Sequence, residues 1–178
     1  QTGKSSVMLE VTQRILQHEH FDVALFSMQS AKHVHSVEGV LKLFVKELKA
    51  QLDVALPAIQ AWEDLPDLFS AKRLSKPLIL ILDEFDALDE EFINAFANEF
   101  RKIYTERVNE IKKKSAEKSY LLHGLALIGI RSVLGIENAS GSPFNVQQSL
   151  HIPNLTFSEV EELFQCYQQE SQQAIDTE

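Results

Sequence analysis

At 178 residues, 44% of them hydrophobic, the chain is long enough to bury one good core and short for two domains. Charged residues at 24% speak against disorder, and a net charge of −9 disfavours unaided binding to a nucleic-acid backbone. The single cysteine, Cys166, excludes a disulfide framework and a cysteine zinc site; with no apolar run of membrane-span length and no signal-peptide pattern, a soluble cytoplasmic protein is expected.

In chain order, Val7, Met8, Val11, Ile15 and Leu16 fall on one helical stripe, which predicts a helix from Lys4 to about Gln17, directly after Gly3. "FDVALFSM" (21–28) predicts a buried strand, and Val37, Val40, Leu41, Phe44, Val45, Leu48 and Leu52 a second helix. Pro57 and Pro66 interrupt the next segment, giving loop and a short helix around Trp62 and Leu68. "PLILILDE" (77–84) is the strongest strand: five consecutive Leu and Ile residues suit a central parallel strand buried on both faces. A long helix with Phe92, Ile93, Phe96, Phe100, Ile103, Tyr104, Val108 and Ile111 on one side then ends in "KKK" (112–114), and the charged stretch 109–119 reads as helix end plus loop. "GLALIGIR" (124–131) and "SLHIP" (149–153) predict two more strands. Thr156 and Glu159 form a capping-box pair ahead of a last amphipathic helix, with Cys166 on its apolar side as a small core residue. Strands alternating with helices predict an α/β fold with a mostly parallel sheet.

Three places carry chemistry. Gly3-Lys4-Ser5 is the second half of the phosphate-loop pattern G-x-x-x-x-G-K-[ST], set at a helix N-terminus where free N–H groups meet phosphate oxygens. The plain alternative is a helix start with a serine near its cap. Asp83 and Glu84 close the central strand, at the edge where open α/β sheets place their ligands. One acid there suits magnesium and its neighbour suits deprotonation of water, although acids at a strand-to-helix turn are also ordinary. Arg131, after "LALIGI", is placed to read a γ-phosphate, and spacing alone leaves it as readily a surface arginine.

With these residues together, the chain resembles the P-loop NTPases of the AAA+ and STAND type. "QTGKSS" is similar to the end of a Walker A loop, "LILILDEFDAL" to a Walker B segment and "LALIGIRSV" to a sensor 1 strand; "SPFNVQQSLHIPNLTFSEVEELFQCY" resembles the entrance to the lid in a bacterial AAA-like ATPase family. The resemblance implies a three-layer αβα P-loop core over 1–155, lacking its Walker A strand, and the start of a helical lid over 156–178. It also implies ATP and Mg2+ as cofactors. Thr2, Gly3, Lys4, Ser5 and Ser6 would bind nucleotide, Ser5 and Asp83 the magnesium, Glu84 would be the catalytic base, and Arg131 would take the sensor 1 position. A phosphate loop cut through its middle implies weak ATP binding by this chain alone, and a gap or distorted neighbour between the strands at 124–131 and 149–153.

The function implied is an ATP-binding, ATP-hydrolysing switch or assembly module, acting with a protein partner or by self-association, without membrane or nucleic acid. A motor acting on protein or DNA and a P-loop small-molecule kinase are the alternatives. "HEH" (18–20) and "HVH" (33–35) match no usual zinc spacing. Ser70-Ala71-Lys72 resembles a guanine-reading motif, but no N-K-x-D accompanies it, so ATP is expected over GTP.

Overall fold

The computed structural model describes residues 4–129, 153 and 155–172. The chain divides into two compact units, residues 1–10 with 148–178 and residues 11–147.

In the larger unit three parallel strands, β1 (Asp22–Ser27), β2 (Leu78–Asp83) and β3 (Leu122–Leu127), form a sheet in the order β1-β2-β3. The most apolar run of the sequence thus takes the middle position, where its backbone is bonded on both sides. Leu78, Leu80 and Leu82 are fully buried on one face; on the other Ile81 is buried and Ile79 half-buried. The alternating pattern predicts an α/β fold with a mostly parallel sheet, and the described strands pair in parallel throughout.

Parallel neighbours require crossovers, and helices supply them. Helix α2 (Val37–Gln51) follows β1 and α3 (Glu90–Asn109) follows β2. Ser36 caps α2 by accepting the Gly39 N–H, and Glu90 and Glu91 complement the positive end of the α3 dipole. Both helices turn their apolar stripes toward the same face of the sheet. The Phe44 and Phe96 rings meet there, centroids 5.1 Å apart, with Phe26 against Phe44 and Phe85 against Phe96. A 3-10 helix, Trp62–Phe69, completes this cluster through Leu65, Leu68 and Phe69.

Helix α3 and strand β3 have boundaries that differ from the sequence expectation. Helix α3 stops at Asn109, short of the lysines at 112–114, because Glu110 closes the following loop: its carboxylate accepts from Lys113 Nζ (2.6 Å), Ser119 Oγ (2.6 Å) and Ser119 N (2.8 Å). Strand β3 starts two residues earlier than expected, and a register shift between Leu78 and Ile79 leaves His123 as the extra residue. Its side chain instead meets Ser115 Oγ at 2.6 Å and lies 3.4 Å from Arg107 Nη2. Burial, then the nearby charges of Arg107 and Lys118, push the His123 imidazole below its usual range. Arg107, itself buried, also donates to the Tyr120 carbonyl and to Ser115 Oγ.

The expected strand at 149–153, Pro153 apart, and the gap expected beside it lie outside the described residues. In the smaller unit α4 (Phe157–Ser171) opens on the capping box: Thr156 Oγ1 accepts the Glu159 N–H, and the Glu159 carboxylate accepts the Thr156 N–H. Cys166 is exposed, not a core residue as its place on the apolar stripe suggests, for α4 has no buried residue among those described. Helix α1 (Lys4–Leu16) spans the division between the units. Among the described residues no helix is long and apolar enough to cross a membrane.

Candidate functional site

The carboxyl ends of the three strands meet along one edge of the sheet. Register pairs Ser27 of β1 with Asp83 of β2, and the Met28 N–H donates to the Asp83 carbonyl at 2.9 Å. On the other side Ile128, just past β3, donates to the Leu82 carbonyl at 2.9 Å and accepts from Phe85 N at 2.8 Å. The last residues of β2 are therefore fixed from both flanks.

Between these anchors the chain must leave the sheet within one residue. Glu84 does so in the left-handed region, at φ 50° and ψ 37°. A non-glycine residue there carries strain of roughly 1 kcal/mol or more and persists only where its surroundings impose it. They do so here. The Glu84 N–H donates to Asp83 Oδ1 at 2.8 Å, its carbonyl accepts from Ala87 N at 2.9 Å, and the next side chain, Phe85, is fully buried.

The carboxylate of Glu84 is held as well. Ser27 Oγ donates to Glu84 Oε2 at 2.5 Å, while the same hydroxyl oxygen accepts the Gln29 N–H at 3.0 Å. The amide occupies a lone pair of Ser27 and leaves its single proton for Glu84. Two adjoining carboxylates, one oriented by a hydroxyl, stand at the carboxyl end of a central parallel strand. Such an arrangement offers hard oxygen ligands for a divalent cation beside a group able to accept a proton.

Asp86 lies in the same turn and is closely approached by the segment after β3. A Cβ on Gly129 would sit 2.8 Å from Asp86 Cγ and Oδ1. A side chain at this position would require the Asp86 carboxyl group to move aside. Nearby, His35 Nδ1 pairs with Asp89 Oδ2 at 2.7 Å, tying the loop after β1 to the start of α3.

Of the residues singled out in the sequence, Asp83 and Glu84 stand together at this edge. Lys4, Ser5 and Ser6 form the first turn of α1, with Ser6 exposed. Thr2, Gly3 and Arg131 lie outside the described residues. Ser27, Asp86 and Gly129 join the edge without having stood out in the sequence. A signal for Ser27 exists: it is the polar residue ending the apolar run that pairs in parallel with "LILILD".

An α/β fold whose parallel strands present paired acids at their carboxyl edge defines a class of proteins that bind ligands at that edge. The sequence profile of the AAA-like domain family matches residues 1–177, and the chain belongs to that family. Membership gives it a nucleotide-binding, ATPase-like function in outline. Neither the curated proteins nor the solved structures hold a significant match to the chain.

Proposed function

We propose that this domain is an ATP-binding, ATP-hydrolysing switch of the STAND type, with a nucleotide core over 1–155 and the start of a helical lid over 156–178. The observation that carries the reading is the Asp83–Glu84 pair at the end of β2, with Glu84 in the left-handed region and bonded to Ser27.

In this reading Thr2, Gly3, Lys4, Ser5 and Ser6 cradle the β- and γ-phosphates at the start of α1, with the Lys4 ammonium against their charge. The Ser5 hydroxyl and the Asp83 carboxylate are the oxygen donors suited to magnesium, which when bound offsets charge on the phosphates. Ser27 anchors Glu84 Oε2 and leaves Oε1 to accept a proton from water. The water oxygen bonds to the γ-phosphorus in line, the bond to the β–γ bridging oxygen breaks, and the proton rests on Glu84. Arg131 reads the γ-phosphate and passes its state to neighbouring elements. Turnover is slow, and the nucleotide state governs contact with a protein partner or a second copy.

Binding of ATP by the full protein tests this reading. Lys4→Ala is expected to weaken ATP by at least about tenfold, and Asp83→Asn to remove the gain in affinity that magnesium gives. Equal ATP affinity in the wild type and both variants would overturn it. Phosphate appearing on an added small-molecule acceptor, with none released to water, would replace the switch by a kinase.

A further inference from the structure

Ahead of β3, at the end of the sheet opposite Asp83 and Glu84, a second polar cluster is built around Arg107. The residue is only 8% exposed, yet its guanidinium donates to two neutral groups, the Tyr120 carbonyl and, at 2.8 Å, Ser115 Oγ. Among the described residues no carboxylate forms an ion pair with it. The charge of Glu110 acts on Arg107 without pairing, its oxygens being taken by Lys113 and Ser119. Burial outweighs that charge and pushes the guanidinium below its usual range. A buried cation with no paired anion is costly, so the cluster has room for negative charge.

Ser115 is where that charge could be carried. Its hydroxyl joins the buried guanidinium to the surface: Ser115 is half-buried, and His123, whose Nδ1 lies 2.6 Å from Ser115 Oγ, is exposed. Lys118 adds a second cation, its Nζ donating to the Arg107 carbonyl at 2.5 Å. Glu117, two residues on, turns its carboxylate to the Lys114 N–H at 3.0 Å. Directly before Ser115 stand three exposed lysines, at 112–114. A free oxyanion would have to displace Ser115 Oγ from Arg107, whereas a phosphoryl group on that oxygen starts beside the guanidinium.

We propose that Ser115 is a phosphorylation site whose phosphoryl group is received by Arg107, Lys118 and His123. Ser115 Oγ bonds to the γ-phosphorus of a nucleoside triphosphate held by a protein kinase. The bond to the β–γ bridging oxygen breaks, the diphosphate leaves, and the hydroxyl proton passes to the kinase's base. The lysines at 112–114 offer that kinase positive charge ahead of the acceptor. The added charge of about −2 pairs with the buried guanidinium, favours protonated His123 and ties the 110–121 loop more firmly to α3. The site is separate from the nucleotide reading and stands without it.

Two measurements on the full protein test the proposal. In the first, phosphoserine is installed at position 115 during synthesis, and its second ionisation is followed by phosphorus NMR beside that of a free peptide spanning 108–121. The ionisation in the protein is expected about one pH unit lower than in the peptide, and the His123 imidazole is expected to titrate about one unit higher than in the unmodified protein. Lys118→Gln should reverse part of both shifts. In the second, the folded protein is treated with ATP and a serine kinase that selects basic residues ahead of its target, and the modified residue is mapped by mass spectrometry. Transfer to Ser115 is expected, slowed severalfold when Lys112, Lys113 and Lys114 are replaced by glutamine. Labelling of the peptide but not of Ser115 in the folded protein would overturn the proposal. So would an ionisation at or above that of the peptide, or a phosphorylated chain that does not fold.

Discussion

Ser27 Oγ lies 2.5 Å from Glu84 Oε2, a bond between residues 57 apart in sequence that joins the ends of β1 and β2. The Gln29 N–H fixes the hydroxyl from behind, so the carboxylate at the end of the central strand has one oxygen anchored. Ser27→Ala should therefore cost about 1 kcal/mol of stability. By releasing the carboxylate from its orientation it should also lower turnover about tenfold or more, with ATP affinity within about twofold. Steady-state kinetics beside equilibrium unfolding checks both; unchanged turnover would show that Ser27 has no positioning role.

The left-handed backbone at Glu84 makes a separate prediction. Glu84→Gly relieves the strain there and should leave stability within about 1 kcal/mol, because the greater freedom of the unfolded chain offsets the gain. Glu84→Ile should cost about 2 kcal/mol, since a β-branched residue tolerates that region badly. Denaturant midpoints of the two variants, compared at equal m-value, decide it. Equal stability of both would contradict the strained turn.

Gly129→Ala places a methyl group against Asp86 and should cost about 1–3 kcal/mol. Because the clash is with the carboxyl group of Asp86, adding Asp86→Ala should recover at least half of that loss. A double-mutant cycle with no coupling would place the cost elsewhere.

Acid stability should fall in two windows. His123 is held below its usual 6.5 by burial, Arg107 and Lys118, so its contribution is present above about that pH and lost as pH falls through the lower folded value. Glu110 is lowered from 4.5 to about 2 by hydrogen bonds from the Lys113 side chain and then from the Ser119 hydroxyl and amide. Its contribution is present above 4.5 and lost as pH falls toward about 2. Thermal midpoints recorded against pH should flatten in the upper window for His123→Ala and in the lower for Glu110→Gln. Curves parallel to the wild type would contradict both assignments.

Most of the fold is legible in the sequence because its signals are dense and local. The run from Leu78 to Leu82 suits only a buried strand, and the stripes through Phe44 and Phe96 only a core-facing side. The acids after that strand are legible for the same reason, being the first polar residues behind it. Long-range contacts are not. Nothing adjacent to Ser27 in sequence announces Glu84, nor does the sequence around Gly129 announce Asp86, since those pairings follow from parallel register. The end of α3 departs from its periodicity because Glu110 captures Ser119 nine residues away, a loop closure that helix periodicity does not encode. Cys166 departs from its expected burial because an apolar stripe indicates which side of a helix favours burial, not that the side is covered.

The central claim is that Glu84 is the base that takes a proton from the attacking water. ATP turnover by the full protein, measured together with ATP binding for Glu84→Gln, tests it most directly. The amide can still accept the Ser27 bond, so the fold and ATP affinity should hold while phosphate release falls by about a hundredfold or more. Phosphate release at the wild-type rate in Glu84→Gln, with ATP bound equally well, would contradict the account.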